Sequence, residues 1–220
     1  ENDNNWYGED TYFCKRFSEM GGVIMVEPTI TFTHIGTKEY KGNLHEFLMG
    51  RRVNELPTHH ITTQPQEKVT LKDLTAEIDS IVEVGCWIGD TTKELLKSCK
   101  DVTVVDTFEG SRGDSANLIA SQRDIYKEFQ ENVGVVDNLT VLKGRSVEMA
   151  DNIEEVDMVF IDAGHNYDEV IEDIDAWLPK CTKIISGHDY SDDFPGVIKA
   201  VNEKFDNVNV KDSLWWVELN

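Results

Sequence analysis

The chain has 220 residues, with 42 acids against 21 Lys and Arg and a formal net charge of −21. Such a balance repels phosphate backbones and anionic lipid surfaces, which argues against nucleic acid as a partner. No apolar run approaches the length of a membrane span and no leader is visible, so a cytoplasmic setting is expected.

The acid excess lies mostly after residue 60, a first sign of two parts. Residues 1–57 read as a small α+β segment. It has a helix over 9–20, short strands over 23–26 and 30–34, and a helix over 43–52. Residues 58–67 read as a linker, the stretch 56–66 having two prolines, several threonines and His59-His60. From residue 68 helices and strands alternate. A lead-in helix over 68–79 precedes a strand over 80–86 and a helix over 90–98. A strand over 101–107, a polar loop and one helix over 117–133 follow. Next come a strand over 139–143, a short helix over 146–152, a strand over 156–162 and a helix over 167–178 closed by Pro179. After a strand over 182–186, Pro195 opens a helix that runs to Phe205. The chain closes with strands over 208–210 and 214–219.

Strands separated by helices predict a doubly wound, mostly parallel α/β sheet. The last two strands leave no room for a helix between them and must pair antiparallel. Seven strands are expected in all, ending in a C-terminal antiparallel hairpin. The four cysteines, at 14, 86, 99 and 181, lack metal spacing and read as free thiols in a reducing compartment. Cys86 is a small apolar filler on this reading.

The sequence Ser80-Ile-Val-Glu-Val-Gly-Cys-Trp-Ile-Gly-Asp90 reads as a buried strand, a glycine turn and a helix start. Asp106 ends the next strand, 21 positions after Gly85. That spacing is how an α/β sheet holds an adenosine group, with the acid on the ribose hydroxyls. A dinucleotide fingerprint places a second glycine two after the first, and that position is Trp87. An NAD-linked oxidoreductase is therefore disfavoured.

The pattern Glu83-x-Gly85-x-x-x-Gly89 resembles the first motif of class I S-adenosylmethionine (SAM) methyltransferases, whose parallel, Rossmann-like sheet also ends in one antiparallel hairpin. The resemblance implies SAM as cofactor, held by Glu83, Gly85, Cys86, Trp87, Gly89, Asp106 and Thr107. Ser146 matches an adenine contact, and Asp162 borders the same edge.

Open α/β sheets bind ligands at the carboxyl ends of their strands. Two of these ends carry Asp162-Ala-Gly-His165-Asn-Tyr167 and Gly187-His188-Asp189-Tyr190. His165, Asp162 and His188 form the candidate catalytic group, and Asp162, His188 and Asp189 a candidate site for Mg²⁺ or another divalent cation. A cation there holds two vicinal hydroxyls and lowers the pKa of one, while His165 serves as general base. Residues 156–205 are similar to the macrocin-type and small-molecule O-methyltransferases. Their pattern falls on Asp162, His165, Tyr167, Asp173, His188, Asp189, Tyr190, Gly196 and Val197. It implies O-methylation over about residues 68–220, metal-dependent in some members.

Trp6-Tyr-Gly-Glu9-Asp10-x-x-Phe13-Cys-x-Arg16 and Pro28-x-Ile-x-x-x-His34-Ile-Gly36 resemble the end of GT-A glycosyltransferases. Glu9 and Asp10 match their acceptor pair, and His34 matches a ligand of the nucleotide-sugar metal. The nucleotide-binding half and its Asp-x-Asp do not appear in this sequence. The resemblance implies a piece of a glycosyltransferase–methyltransferase fusion and a sugar or glycan acceptor. Expected partners are that acceptor, a glycosyltransferase domain and a second copy of the chain. The competing reading is a non-catalytic SAM- or glycan-binding module.

Overall fold

The computed structural model describes residues 31–35, 39–43, 63–111 and 115–219. The chain divides into two compact units, Glu1–Leu56 and Pro57–Asn220. In the first, strands β1 (Thr31–Ile35) and β2 (Glu39–Asn43) form an antiparallel pair, with His34 opposite Tyr40. The readings for residues 9–20 and 23–26, the rest of the predicted helix over 43–52, and Glu9 and Asp10 lie outside the described residues; Asn43 itself ends β2.

The second unit is built on a seven-stranded sheet. Its strands are β3 (Ser80–Val84), β4 (Asp101–Asp106), β5 (Leu139–Lys143), β6 (Val156–Ile161), β7 (Cys181–Gly187), β8 (Asn209–Lys211) and β9 (Leu214–Glu218). They lie in the order β5-β4-β3-β6-β7-β9-β8. The first five run parallel, and β9 is antiparallel to both β7 and β8. The doubly wound sheet with its C-terminal hairpin is thus the observed architecture. The hairpin turns back on itself, so that β9 lies inside the sheet and β8 forms the edge.

The helices are α1 (Pro65–Leu74), α2 (Asp90–Ser98), α3 (Ser115–Ala120), α4 (Ile125–Val133), α5 (Ser146–Met149), α6 (Tyr167–Trp177) and α7 (Pro195–Lys204). The carboxyl-terminal halves of β3, β6 and β7 are buried, as a sheet covered on both faces requires, and read as mostly apolar runs. Val82, Val159 and Ile185 pack with Ile174, Trp177, Ala200 and Trp215 in one core.

Two helices differ from expectation. The lead-in helix starts earlier, at Pro65, and ends earlier, at Leu74. Proline suits the first helical position, and Glu67 accepts a bond from the Gln64 N–H at 2.6 Å to close the helix start. At the other end the Thr75 hydroxyl bonds back to the Leu71 carbonyl at 3.0 Å. The single helix expected over 117–133 is two. Asp124 breaks it by capping the second piece, accepting from the Lys127 N–H at 3.0 Å.

Candidate functional site

The carboxyl edge of β3 carries the glycine turn. Gly85 has φ +85°, and a Cβ there would overlap the Asp162 carbonyl. Only glycine lets β3 and the end of β6 approach this closely. Gly89, at φ +83°, precedes α2 and lies against Phe129 and Val133 of α4. Between them Trp87 also adopts a left-handed φ of +48°, a strained conformation for a bulky residue.

Asp106 holds this turn in place. Its Oδ2 accepts the Cys86 and Trp87 N–H groups at 2.8 Å each, and its Oδ1 accepts the Phe108 N–H at 2.7 Å. Burial raises its pKa, and the three N–H donors offset only part of that. A carboxylate offers about four acceptor sites, and the Cys86 thiol bonds Asp106 as well, so little capacity remains for a ribose hydroxyl. The expected ribose acid is therefore first a brace for the turn. Thr107 borders the same cleft and accepts the Glu109 N–H at 3.2 Å.

Glu83 sits beneath the turn, fully buried. Its Oε2 accepts from the Thr92 hydroxyl at 2.6 Å, and among the described residues Oε1 has no partner. Burial pushes its pKa well above the usual carboxylate range. A buried acid with an unused oxygen beside a glycine-lined cleft fits the positively charged amino acid end of SAM. Cys86 is buried and its thiol is pushed up by burial, as expected for a filler. Ser146 borders the cleft, but its hydroxyl accepts from the Trp177 indole at 2.7 Å and bonds Asp173. Little of it is left for an adenine. Burial lifts the Asp173 pKa to about 6, with Glu169 and Glu172 adding to the shift.

The ends of β6 and β7 bring the second group together. Asp162 follows β6, and His188 and Asp189 follow β7. The His188 N–H bonds the Ile161 carbonyl at 3.0 Å, which keeps the two ends level. Asp189 is left-handed at φ +59°. Its two oxygens face two histidines: Oδ1 lies 3.2 Å from His188 Nδ1 and Oδ2 lies 2.8 Å from His165 Nε2. Asp162 Oδ1 lies 3.7 Å from His188 Nδ1. His165 packs its ring on Phe194, centroids 4.4 Å apart. Gly196 allows this, because a Cβ there would sit 2.6 Å from the His165 carbonyl.

Charge in this group is redistributed by burial and pairing. Burial raises Asp162 to about 6 against the pull of His188. Both histidines hold Asp189 far below its usual range despite its burial. The surrounding acids outweigh the burial of His188 and lift it to about 10. Asp162, His188 and Asp189 offer donor atoms within 4.8 Å of one another. Carboxylate oxygens with an imidazole nitrogen at that spacing fit a divalent cation.

Sequence reasoning missed two members of this group. Glu67 of α1 lies 3.1 Å from His188 Nε2, and Ser213, in the β8–β9 turn, also lies 3.1 Å from it. Ser213 donates to Glu67 Oε1. Glu67 had only a helix-start signature, and Ser213 had none.

The glycine turn and the acid–histidine group line one continuous cleft of about 940 Å³. Among the described lining residues Arg145 is the only Lys or Arg, while carboxylates come from nearly every lining element. The cleft can hold a cofactor and an acceptor side by side, and it disfavours anions.

Residues 82–190 match the family model described as "Methyltransferase domain". A probable cobalt-precorrin-6B C(15)-methyltransferase (decarboxylating) of Methanocaldococcus jannaschii is 29% identical over 97 residues, 44% of this chain and 46% of that protein. The match thus spans under half the length of that curated relative. Among solved structures, the O-methyltransferase of Bacillus cereus in complex with SAH gives a TM-score of 0.55 at 17% identity, covering 80% of this chain and 95% of that one. The calicheamicin methyltransferase CalS11 gives 0.55 at 14% identity, covering 80% and 92%. At such identities the structures share a fold with this chain. The family match, over 109 of the 220 residues, makes residues 82–190 similar to a methyltransferase domain. No helix among the described residues is long and apolar enough to cross a membrane.

Proposed function

We propose that the domain transfers the methyl group of SAM to a hydroxyl oxygen of a sugar or glycan, with a divalent cation assisting. One observation carries this reading: His165, backed by Asp189 at 2.8 Å, stands beside the Asp162–His188–Asp189 donor group in the cleft that the glycine turn also lines. SAM supplies an electrophilic methyl on a sulfonium. Asp162, His188 and Asp189 would hold a cation that would supply a Lewis acid for paired hydroxyls. Glu83 and the turn orient the cofactor, and Asp106 keeps the turn rigid. Asp189 Oδ2 accepts the His165 Nε2–H at 2.8 Å, so His165 takes the acceptor proton on its other ring nitrogen, and Asp189 steadies the charged ring that results. Alignment of oxygen and methyl supplies much of the rate.

An uncharged polyhydroxyl acceptor suits the carboxylate-lined cleft better than one carrying phosphates. The front segment's likeness to glycosyltransferase ends supports the sugar. On this reading the chain is part of a fusion for glycan synthesis, with Glu9, Asp10 and His34 belonging to the sugar-transferring part. The test is methyl transfer from labelled SAM to a panel of sugars and catechols, with and without Mg²⁺. Mg²⁺-stimulated transfer to sugar hydroxyls supports the reading. Binding of SAM with no transfer to any hydroxyl defeats it and favours a non-catalytic module.

A further inference from the structure

We propose that Glu67 and Ser213 are positioning residues: they hold one ring proton of His188 on Nε2, so that Nδ1, facing Asp162 and Asp189, is the nitrogen that would serve as the third donor of the cation seat. The inference rests on the cation-assisted reading above.

The hydrogen-bond chemistry decides the direction of each contact. An ionised carboxylate is acceptor-only. Glu67 is 4% exposed, so its oxygens must find donors inside the protein. The Gln64 N–H reaches Oε2 at 2.6 Å, and the Ser213 hydroxyl gives its hydrogen to Oε1. Oε2 also lies 3.1 Å from His188 Nε2. Ser213, having spent its hydrogen, offers Nε2 only lone pairs, again at 3.1 Å. Both neighbours of Nε2 are acceptors, so Nε2 carries a proton. Nδ1 also faces acceptors, Asp189 Oδ1 at 3.2 Å and Asp162 Oδ1 at 3.7 Å, so without a cation each ring nitrogen holds a proton. A cation would displace the one on Nδ1, while Glu67 and Ser213 keep the other on Nε2.

The brace is independent of the strands that supply the donors. Glu67 belongs to α1, whose Leu71 is buried and whose leading Thr63 hydroxyl bonds Thr91 of α2. Ser213 is tied by its backbone, since its carbonyl accepts the Tyr190 N–H at 2.9 Å. Two elements distant in sequence thus converge on the one nitrogen of His188 that points away from the donor group. A carboxylate on the far nitrogen of a ligating histidine orients the ring, and its loss typically weakens metal binding about 10–100-fold.

The experiment titrates Mn²⁺ alone into the full, cofactor-free chain. It uses the parent protein, Glu67→Gln, Ser213→Ala, Ser213→Thr and Asp162→Asn, with SAM affinity read separately by calorimetry. Nitrogen-15 NMR of the histidine rings, with diamagnetic Mg²⁺ in place of Mn²⁺, reports which His188 nitrogen keeps its proton when the cation is bound. The parent should bind Mn²⁺ in a manner abolished by Asp162→Asn. Glu67→Gln should weaken Mn²⁺ by about 10–100-fold, change SAM affinity by less than about 3-fold, and mix the two His188 tautomers of the Mg²⁺-bound protein. Ser213→Ala should do the same to a smaller degree, and Ser213→Thr should restore binding. If Glu67→Gln fails to fold, the Ser213 pair carries the test. Mn²⁺ binding that needs Asp162 but ignores Glu67 and Ser213 overturns this proposal and leaves the cation reading intact. A parent protein that transfers methyl groups without binding Mn²⁺ overturns both.

Discussion

The two halves of the cleft are built differently. On the glycine-turn side, proposed above for the cofactor, the geometry is made by backbone: Gly85, Gly89 and a strained Trp87, held by three N–H bonds to one carboxylate. On the other side, proposed for the acceptor, it is made by side-chain charge, with two histidines and three acids drawn from three elements. A backbone site tolerates little change in shape. A side-chain site tolerates changes in shape but not in proton placement. Substitutions should therefore damage the two halves in different ways.

The largest effect should come from Gly85→Ala. The new Cβ meets the Asp162 backbone at a positive φ, so neither rotamer change nor side-chain movement relieves it. A loss of several kcal/mol is expected, visible as a collapsed melting temperature together with lost SAM binding. A variant that melts like the parent would contradict the backbone account. His165→Ala should do the opposite. Transfer should fall about 10²–10⁴-fold, while SAM affinity and melting temperature stay close to those of the parent. Equal loss of binding and rate would remove His165 from the acceptor side.

Asp106→Asn separates a brace from a ribose contact. An amide nitrogen in place of one oxygen faces N–H groups and leaves one or two of them unpaired, at about 1–3 kcal/mol each. Stability and SAM affinity should fall together. Weakened SAM binding with an unchanged melting temperature would instead mark a pure ribose contact.

The smallest effect concerns Asp173, whose pKa lies near 6 in the fold and near 4 when unfolded. Between these values the folded chain keeps a proton that the unfolded chain has lost, so stability falls as pH rises through the window and then levels off. Asp173→Asn lacks this term. From pH 5 to pH 7 the parent should lose about 1 kcal/mol relative to the variant, measured by parallel melts. Parallel curves for the two would show that Asp173 is not held protonated.

The same contrast explains what the sequence makes legible. Glu83, Gly85 and Gly89 lie within one short strand–turn segment, and their spacing states their geometry outright. Asp162, His165, His188 and Asp189 are far apart in sequence but each directly follows a strand, so parallel topology alone brings them to one edge. Glu67 and Ser213 follow no such rule. They reach His188 over separations of 121 and 25 residues, from a helix start and a hairpin turn. Their place depends on how α1 and the β8–β9 turn pack, which no local pattern encodes. Asp106 was legible as a residue of the site but not in its main role, because backbone N–H donors leave no trace in a sequence. The break between α3 and α4 was hidden similarly, since Asp124 reads as an ordinary polar helix residue until its side chain is seen capping the next turn.

The central claim is that this cleft delivers a methyl group to a hydroxyl oxygen using His165. The most direct measurement supplies the full chain with SAM labelled with carbon-13 on the methyl, Mg²⁺ and a mixture of sugars, and follows the label by NMR. The account predicts the label in a methyl ether, absent with His165→Ala although that variant still binds SAM. Label on carbon, or label that stays in SAM, would contradict it.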